Sequence, residues 1–298
     1  MSHTATTVLA AIVGSSLLAA CASRPAATPG ALARYDLSRP ADAQVRLPAE
    51  LHEVSGLAVT SDGRLFAHGD EEGRVYQVDP ATGKVLKSFG LQPGASEVDL
   101  GKKSKDGRVT GDFEDIAIAG DRFFLVTSNG VLLEFKEGED GGQVPFTAHA
   151  TALAGACELE GLAHDEAANA LLLLCKEMKE KSQRDRVELF AWSLGDGRLA
   201  PAPKAAIAFS TLAQVTGGRA FNASAITGIP GSESLAIIAG PQRLFAEIAA
   251  DGKPVAGGTF ASGELVQPEG IAFLPDGTLL ISSEGGKGVA TIAAYRPR

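Results

Sequence analysis

Glutamate residues that return at one position of a repeated pattern are the residues of this sequence best suited to chemistry. Glu114, Glu160 and Glu269 each stand two residues ahead of an apolar Leu or Ile, in "FEDIAI", "LEGLAHD" and "PEGIAF". Ser55 and Ser224 occupy the same position in two further copies of the pattern. Carboxylates that converge repel one another unless they are protonated, hydrated or neutralised by a cation. An acid-rich site made of oxygen ligands suits a hard ion such as calcium or magnesium.

Whether these residues meet depends on the repeat that carries them. Each copy reads as a strand, a tight turn, a second strand, a short break and a third strand. The apolar residues that align the copies are separated by 59, 46, 64 and 45 residues, and they are Leu57, Ile116, Leu162, Ile226 and Ile271. The shorter steps match the roughly 40–50 residues of a four-stranded propeller blade. The longer steps contain insertions at 91–111 and 210–220.

Five copies of the pattern predict five blades. Fourth strands can be placed in four of them, at 84–91, 143–151, 204–210 and 255–261, but the last copy ends after three strands. The segment 43–48 can supply the missing strand, which would close the ring and leave only short protected edges. We therefore predict an all-β fold, a five-bladed β-propeller over residues 43–298 that is closed by an N-terminal strand. The alternative, an irregular β-sandwich, would not explain why the pattern returns in every unit.

The predicted propeller places the recurring position at one mouth of the central channel. The first strand of each blade lies nearest the channel, and its start lies beside the end of the antiparallel second strand. Glu114, Glu160 and Glu269 are therefore the predicted core of a divalent-cation site. Nearby acids could add direct or water-mediated ligands, and these are Glu53, Asp70, Glu177 and Glu284. In the alternative, each Glu caps a nearby backbone amide or extends into water.

The first 21 residues differ in composition from the rest of the chain. "TTVLAAIVGSSLLAAC" is an apolar run that is shorter than a membrane-spanning helix and typical of a secretory signal. Its end, "LAAC", is similar to the lipobox of bacterial lipoproteins, in which the Cys becomes the lipid-bearing N-terminus. We expect a lipoprotein signal peptide at 1–20, lipid attachment at Cys21 and a flexible tether at 21–42. The alternative is a plain signal peptide with an incidental Cys21.

Lipid attachment would make a membrane a partner of the domain and would hold it on the periplasmic side of the cell envelope. Ala22 stands where an Asp is associated with retention in the inner membrane, so the outer membrane is the expected location. The net charge of −9 argues against nucleic-acid binding through bulk electrostatics.

Two cysteines remain after Cys21, and one remaining pair in an exported chain suggests a disulfide. Cys157 and Cys175 flank a predicted hairpin whose midpoint is residue 166, so they would be cross-strand neighbours. Two buried thiols are the alternative.

The copies "EVSGLA", "FEDIAI", "LEGLAHD" and "PEGIAF", in this order and spacing, resemble the SdiA-regulated, YjiK/CarP-like family over about residues 43–298. The resemblance implies an exported five-bladed propeller with bound calcium. It also favours Glu53 as a ligand, because Glu53 matches the first residue of the family's E-x-S-G-L motif.

The sequence lacks the motifs of several common catalytic sites, including G-x-S-x-G, the P-loop and H-E-x-x-H. His52, His68 and His164 lie in or beside predicted strands, where we expect structural roles. These observations favour a calcium-binding lipoprotein that acts as a binding or signalling module, with an unknown protein partner. The alternative is a metal-dependent hydrolase, phytase-like or lactonase-like, that uses the same ion. A scaffold for a protein partner is a third possibility, and the sequence leaves open whether the chain is an enzyme.

Overall fold

The computed structural model describes residues 1, 30–94, 98, 100, 106–263 and 265–298. Residues 2–29 lie outside the described residues. This range contains the predicted signal peptide after Met1, the predicted lipid-attachment residue Cys21 and the first part of the predicted tether. Among the described residues, no helix is long and apolar enough to span a membrane.

The described chain forms five small sheets, the blades, around a central channel. A first strand, β1 (Ala43–Arg46), precedes blade 1, which contains β2 (Val54–Val59), β3 (Leu65–Gly69), β4 (Arg74–Val78) and β5 (Val85–Leu91). Blade 2 begins with β6 (Phe113–Ala119), β7 (Arg122–Thr127) and β8 (Val131–Lys136). The short strand β9 (Gln143–Val144) then pairs in parallel with β5 of blade 1, and β10 (Phe146–Ala150) completes blade 2.

The second half of the chain forms the remaining three blades. Blade 3 contains β11 (Cys157–Asp165), β12 (Ala170–Met178) and β13 (Arg186–Ser193), with β14 (Arg198–Leu199) and β15 (Ala205–Ala208) both paired to β13. The helix α1 (Phe209–Thr216) follows, in the second predicted insertion. Blade 4 contains β16 (Ala225–Gly228), β17 (Leu235–Ala239), β18 (Leu244–Ile248) and β19 (Pro254–Thr259). Blade 5 contains β20 (Pro268–Phe273), β21 (Leu279–Ser283) and β22 (Thr291–Tyr295). Short 3-10 helices span Ala31–Arg34, Ala49–Leu51 and Lys181–Gln183.

The N-terminal strand closes the ring. β1 pairs antiparallel with β22, so that Ala43 lies opposite Ala294 and Arg46 lies opposite Thr291. Blade 5 thereby receives its fourth strand from the start of the domain, and the two ends of the chain hold each other in one sheet. The predicted five-bladed propeller with N-terminal closure is confirmed.

The packing between blades explains the residues of the repeat. Each of five hydrophobic clusters lies between two neighbouring blades. Ile116 of blade 2 packs in the cluster shared with blade 1, whereas the next residue, Ala117, packs in the cluster shared with blade 3. Close packing explains the small residue that precedes the aligned apolar residue in most copies. In blade 5 this residue is Gly270, where a Cβ would lie 2.9 Å from the backbone nitrogen of Leu57 in blade 1. The residue types of the repeat therefore follow from the close approach of neighbouring first strands.

The disulfide between Cys157 and Cys175 is confirmed, with the two Cα atoms 5.8 Å apart and both residues buried. Its register differs from the expected one. Cys175 lies opposite Leu159, and Cys157 lies opposite Met178, because the hairpin turn covers residues 166–169 and its centre lies beyond the expected midpoint. The bridge therefore runs diagonally across the hairpin.

Residues 30–42, which the sequence assigned to the tether, pack against the propeller. Leu32, Tyr35 and Leu37 are buried in the cluster between blades 4 and 5. The buried carboxylate of Glu247 accepts hydrogen bonds from the backbone N–H of Ala31 at 2.9 Å and of Leu32 at 2.8 Å. This segment is therefore part of the folded domain.

We expect Glu247→Ala to lower the free energy of unfolding by about 2–3 kcal/mol, because two backbone N–H groups lose a charged acceptor. Chemical denaturation of a chain that begins at Gly30 measures the effect. The matched control is the same substitution in a chain that begins at Ala41, where Glu247 lacks both donors and its removal should be neutral or stabilising. An equal loss of stability in both backgrounds would contradict the assigned docking role.

Candidate functional site

β-Bulges position the recurring Glu residues. The pairing between the first and second strands shifts register across Ser55, Glu114, Glu160 and Glu269, while Ser224 directly precedes β16. A bulge leaves a residue out of the ladder and re-aims its side chain. These five residues are called the mouth ring below, since they occupy the equivalent position of all five blades.

The three Glu residues of the mouth ring lie within electrostatic range of one another, with Glu160 buried and the other two half-buried. Burial and the charge of Glu160 raise the pKa of Glu114. Burial also raises the pKa of Glu160, although Lys176 opposes the shift. Burial and the charges of Glu160 and Glu284 raise the pKa of Glu269 to about 8. The charge of Glu160 acts on both Glu114 and Glu269, so the three predicted core residues are electrostatic neighbours.

A lysine that the sequence analysis overlooked lies among these acids. Lys176 Nζ lies 2.5 Å from Oε1 of Glu160 and 3.5 Å from Oε1 of Glu158. Burial opposes its charge, but the carboxylates of Glu160, Glu158 and Glu114 outweigh burial and raise the pKa of Lys176. The mouth ring therefore already holds one permanent positive charge, supplied by the chain.

The strand register shows why Lys176 was missed. In β12, Leu173 pairs with the aligned apolar residue Leu162, and Lys176 follows Leu173 by three positions. Asp70 in blade 1 and Glu284 in blade 5 occupy the equivalent position. The predicted ligand at this place was Glu177, the neighbour of Lys176. A one-residue slip moves a strand side chain to the other face, and Glu177 instead lies exposed, 3.6 Å from Arg184. The structure thus places Glu177 away from the mouth ring.

The remaining predicted ligands form a second acid group, Glu53, Asp70 and Glu284, where blades 5 and 1 meet. Burial and the charges of Asp70 and Glu53 raise the pKa of Glu284, and His52 opposes this shift. Gln267 Nε2 donates a hydrogen bond of 2.8 Å to Glu284. The second acid group lies beside the mouth ring, because Glu284 also raises the pKa of Glu269.

Two buried polar side chains outside the predicted ligand set, Asp115 and His68, lie against Gly56, next to Ser55. Asp115 accepts hydrogen bonds of 2.8 Å from the N–H groups of Ile116 and of Leu162 in blade 3, so it joins two first strands. His68 Nδ1 lies 2.9 Å from the carbonyl oxygen of Gly69, and burial lowers the pKa of His68 to about 4. The His68 ring is therefore neutral near pH 7. Both residues support the strands that carry the mouth ring.

Mostly apolar side chains line the channel beyond the mouth ring. Leu57, Ile116, Leu162 and Ile226 line a cavity of about 230 Å³ that also reaches His164.

The chemistry of the mouth ring fits a hard cation, but its present arrangement includes the Lys176 ammonium. Carboxylate and hydroxyl oxygens from all five blades are the ligand type that calcium prefers. Within the part of the chain that the structure describes, no three His, Cys, Asp or Glu side chains are already arranged to hold a metal ion. A divalent ion bound here would require the Glu side chains to re-orient around it.

The sequence matches no protein-family model and no curated protein. Solved structures that share the fold include the following two. A glutaminyl cyclase from Myxococcus xanthus is 12% identical with a TM-score of 0.54, over 87% of this chain and 98% of that chain. A PQQ-bound aldose sugar dehydrogenase from Streptomyces coelicolor is 14% identical with a TM-score of 0.51, over 85% and 97% of the two chains. At these identities the similarity shows a β-propeller and nothing about its activity.

We expect the metal-free protein to lose stability as the pH rises from about 5 to 8. Folded Glu269 keeps its proton up to about pH 8, whereas its ordinary pKa is 4.5. The folded state therefore binds more protons between these values, and one such group lowers the free energy of unfolding by about 1.4 kcal/mol per pH unit. This contribution is fully present below pH 4.5 and lost at pH 8.

The measurement is chemical denaturation at several pH values with a chelator present. Glu269→Gln mimics the protonated acid and should flatten the pH dependence. Glu177→Gln, which changes an exposed carboxylate outside the mouth ring, is the matched control. If Glu269→Gln and wild type lose stability with the same slope, Glu269 does not keep its proton in the folded state.

Proposed function

We propose that this chain is an exported, calcium-binding β-propeller lipoprotein that acts as a binding or signalling module in the cell envelope. The observation that carries the proposal is the convergence of Glu114, Glu160 and Glu269, one buried and two half-buried, at one mouth of the channel. The resemblance of the repeat to the SdiA-regulated, YjiK/CarP-like family supports it.

The physical argument for an ion is the charge balance of the mouth ring. Three carboxyl groups and one ammonium leave an excess of negative charge once the acids lose their protons. Calcium takes 6–8 oxygen ligands, so Glu114, Glu160 and Glu269 would hold the ion together with serine, backbone or water oxygens. Asp70, Glu284 and Glu53 would add negative charge beside it. When bound, the ion would neutralise these acids and fix the relative positions of the blades.

A metal-dependent hydrolase is the second candidate, and one feature favours it. A groove of about 510 Å³ beside the second acid group is lined by His52, Glu53, Asp70, Arg74 and Arg108. A histidine, carboxylates and two arginines could serve an anionic substrate next to a bound ion. Assays of the purified protein against phosphoesters and lactones, with calcium or with chelator, separate the two candidates, because only an enzyme gives calcium-dependent turnover.

We expect millimolar calcium to raise the melting temperature of the domain and a chelator to lower it. An ion that binds only the folded state stabilises it by about 2.7 kcal/mol at one hundred times its dissociation constant. Glu160→Gln or Glu269→Gln should weaken the response, and Glu177→Gln should leave it unchanged. The calcium site is wrong if neither melting nor calorimetry of the wild-type domain responds to millimolar calcium.

We also propose that Cys21 carries lipid and holds the domain at the periplasmic face of the outer membrane. Several acyl chains on one residue would bind a bilayer stably. In cells that express the full chain, Cys21→Ser should move the protein from the membrane fraction to the soluble periplasmic fraction. Unchanged fractionation of this variant would contradict the anchor.

A further inference from the structure

We propose that Lys176 is a built-in competitor for the cation site: its ammonium occupies the mouth ring without a divalent ion, and a bound ion displaces it. This inference rests on the proposed function and adds a residue that sets the affinity of the same site. The calcium proposal concerns the ion itself, whereas this inference concerns the group that occupies the mouth ring when no ion is bound.

Lys176 contacts one residue of the predicted ligand set directly and interacts with two others at longer range. Its Nζ bonds Oε1 of Glu160 at 2.5 Å, and the Glu160 side chain is only 7% exposed. Its charge also acts on the carboxyls of Glu114 and Glu269, lowering the pKa of each against the effect of burial. One ammonium therefore interacts with all three glutamates of the mouth ring.

The ammonium and a divalent ion cannot share these glutamates at full strength. A calcium ion would lie about 2.3–2.6 Å from a ligating oxygen, which is the distance at which Lys176 Nζ now lies from Glu160. Two cations bound to the same oxygen would lie at most about 5 Å apart and would repel by several kcal/mol at the effective dielectric constant of a protein surface. Binding of the ion therefore requires Lys176 to leave Glu160.

The structure provides Lys176 with another acceptor. Glu158 lies 3.5 Å from Lys176 Nζ and is itself 3.5 Å from Nζ of Lys179. The Glu158 side chain is 34% exposed, against 7% for Glu160, so it lies nearer to solvent. Lys176 can thus transfer its hydrogen bond from the buried carboxylate to the outer one by rotating its flexible four-carbon stem. The measured affinity for calcium would then include the free-energy cost of moving the Lys176 ammonium away from Glu160.

The first test is calcium calorimetry on wild type, Lys176→Met and Lys179→Met. Both substitutions remove one positive charge from the same strand region, but only Lys176 contacts Glu160. Lys176→Met should bind calcium on the order of tenfold more tightly than wild type, because no ammonium has to be displaced. Lys179→Met should bind within about threefold of wild type. The proposal is overturned if Lys176→Met binds calcium no more tightly than Lys179→Met.

The second test uses the unaltered protein and does not depend on the folding of a variant. Lysines are acetylated briefly with an amine-reactive reagent, in chelator or in saturating calcium, and the modified sites are quantified by mass spectrometry. Modification of Lys176 should increase severalfold in calcium, while Lys179 serves as the internal reference. Equal modification of Lys176 in both conditions, with calcium binding verified by calorimetry, overturns the exchange.

The outcomes separate this inference from the proposed function. If Lys176→Met binds calcium and wild type does not, the native chain is not a calcium protein, yet the role of Lys176 stands. If wild type binds calcium and Lys176 responds in neither test, the calcium site stands and the role of Lys176 is wrong. If neither protein binds calcium, both proposals are wrong.

Discussion

The close approach of five first strands around one channel is the constraint on which this structure depends. At Gly270 the neighbouring blade comes so near that a Cβ would lie 2.9 Å from the backbone of Leu57. That approach creates the five clusters between blades, which are the hydrophobic core of the domain. It also brings the ring glutamates out of water and beside one another, which raises their pKa values. Core packing and the electrostatics of the mouth therefore have one geometric cause.

Sequence reasoning worked where the repeat is regular. Periodic apolar anchors, turn residues and an unpaired segment before the first copy were enough to predict five blades and the strand that closes them. It also predicted that Glu114, Glu160 and Glu269 meet, because equivalent positions of a cyclic repeat must lie around one axis. It failed where the position of a turn and the register of a strand are not periodic. The turn between β11 and β12 lies beyond the expected midpoint, which changed the register of the disulfide, and a slip of one position put Glu177 in the place of Lys176.

The departures from the repeat are where charged groups meet. Lys176 stands where blades 1 and 5 have acids, and Asp115 stands where blades 1, 3 and 5 have Gly. Asp115 uses its carboxylate to join two blades, whereas Lys176 uses its ammonium to balance the buried acid of Glu160. Neither role has a periodic signal, so only the spatial arrangement of the blades reveals them. Docking of residues 30–42 onto Glu247 was hidden for the same reason, since 215 residues separate Leu32 from Glu247.

The docked segment 30–42 also affects how the propeller would be oriented relative to a membrane. Arg34 donates to the carbonyl of Pro230 and Tyr35 to that of Gly277, and both acceptors lie in turns between first and second strands, on the side away from the mouth ring. Nine peptide bonds join Gly30 to Cys21 and can extend at most about 30 Å. A lipid on Cys21 would therefore hold the turn side of the disc toward the bilayer. The acidic mouth would then face away from the bilayer, where soluble ions and macromolecules could reach it without crossing the lipid headgroup layer.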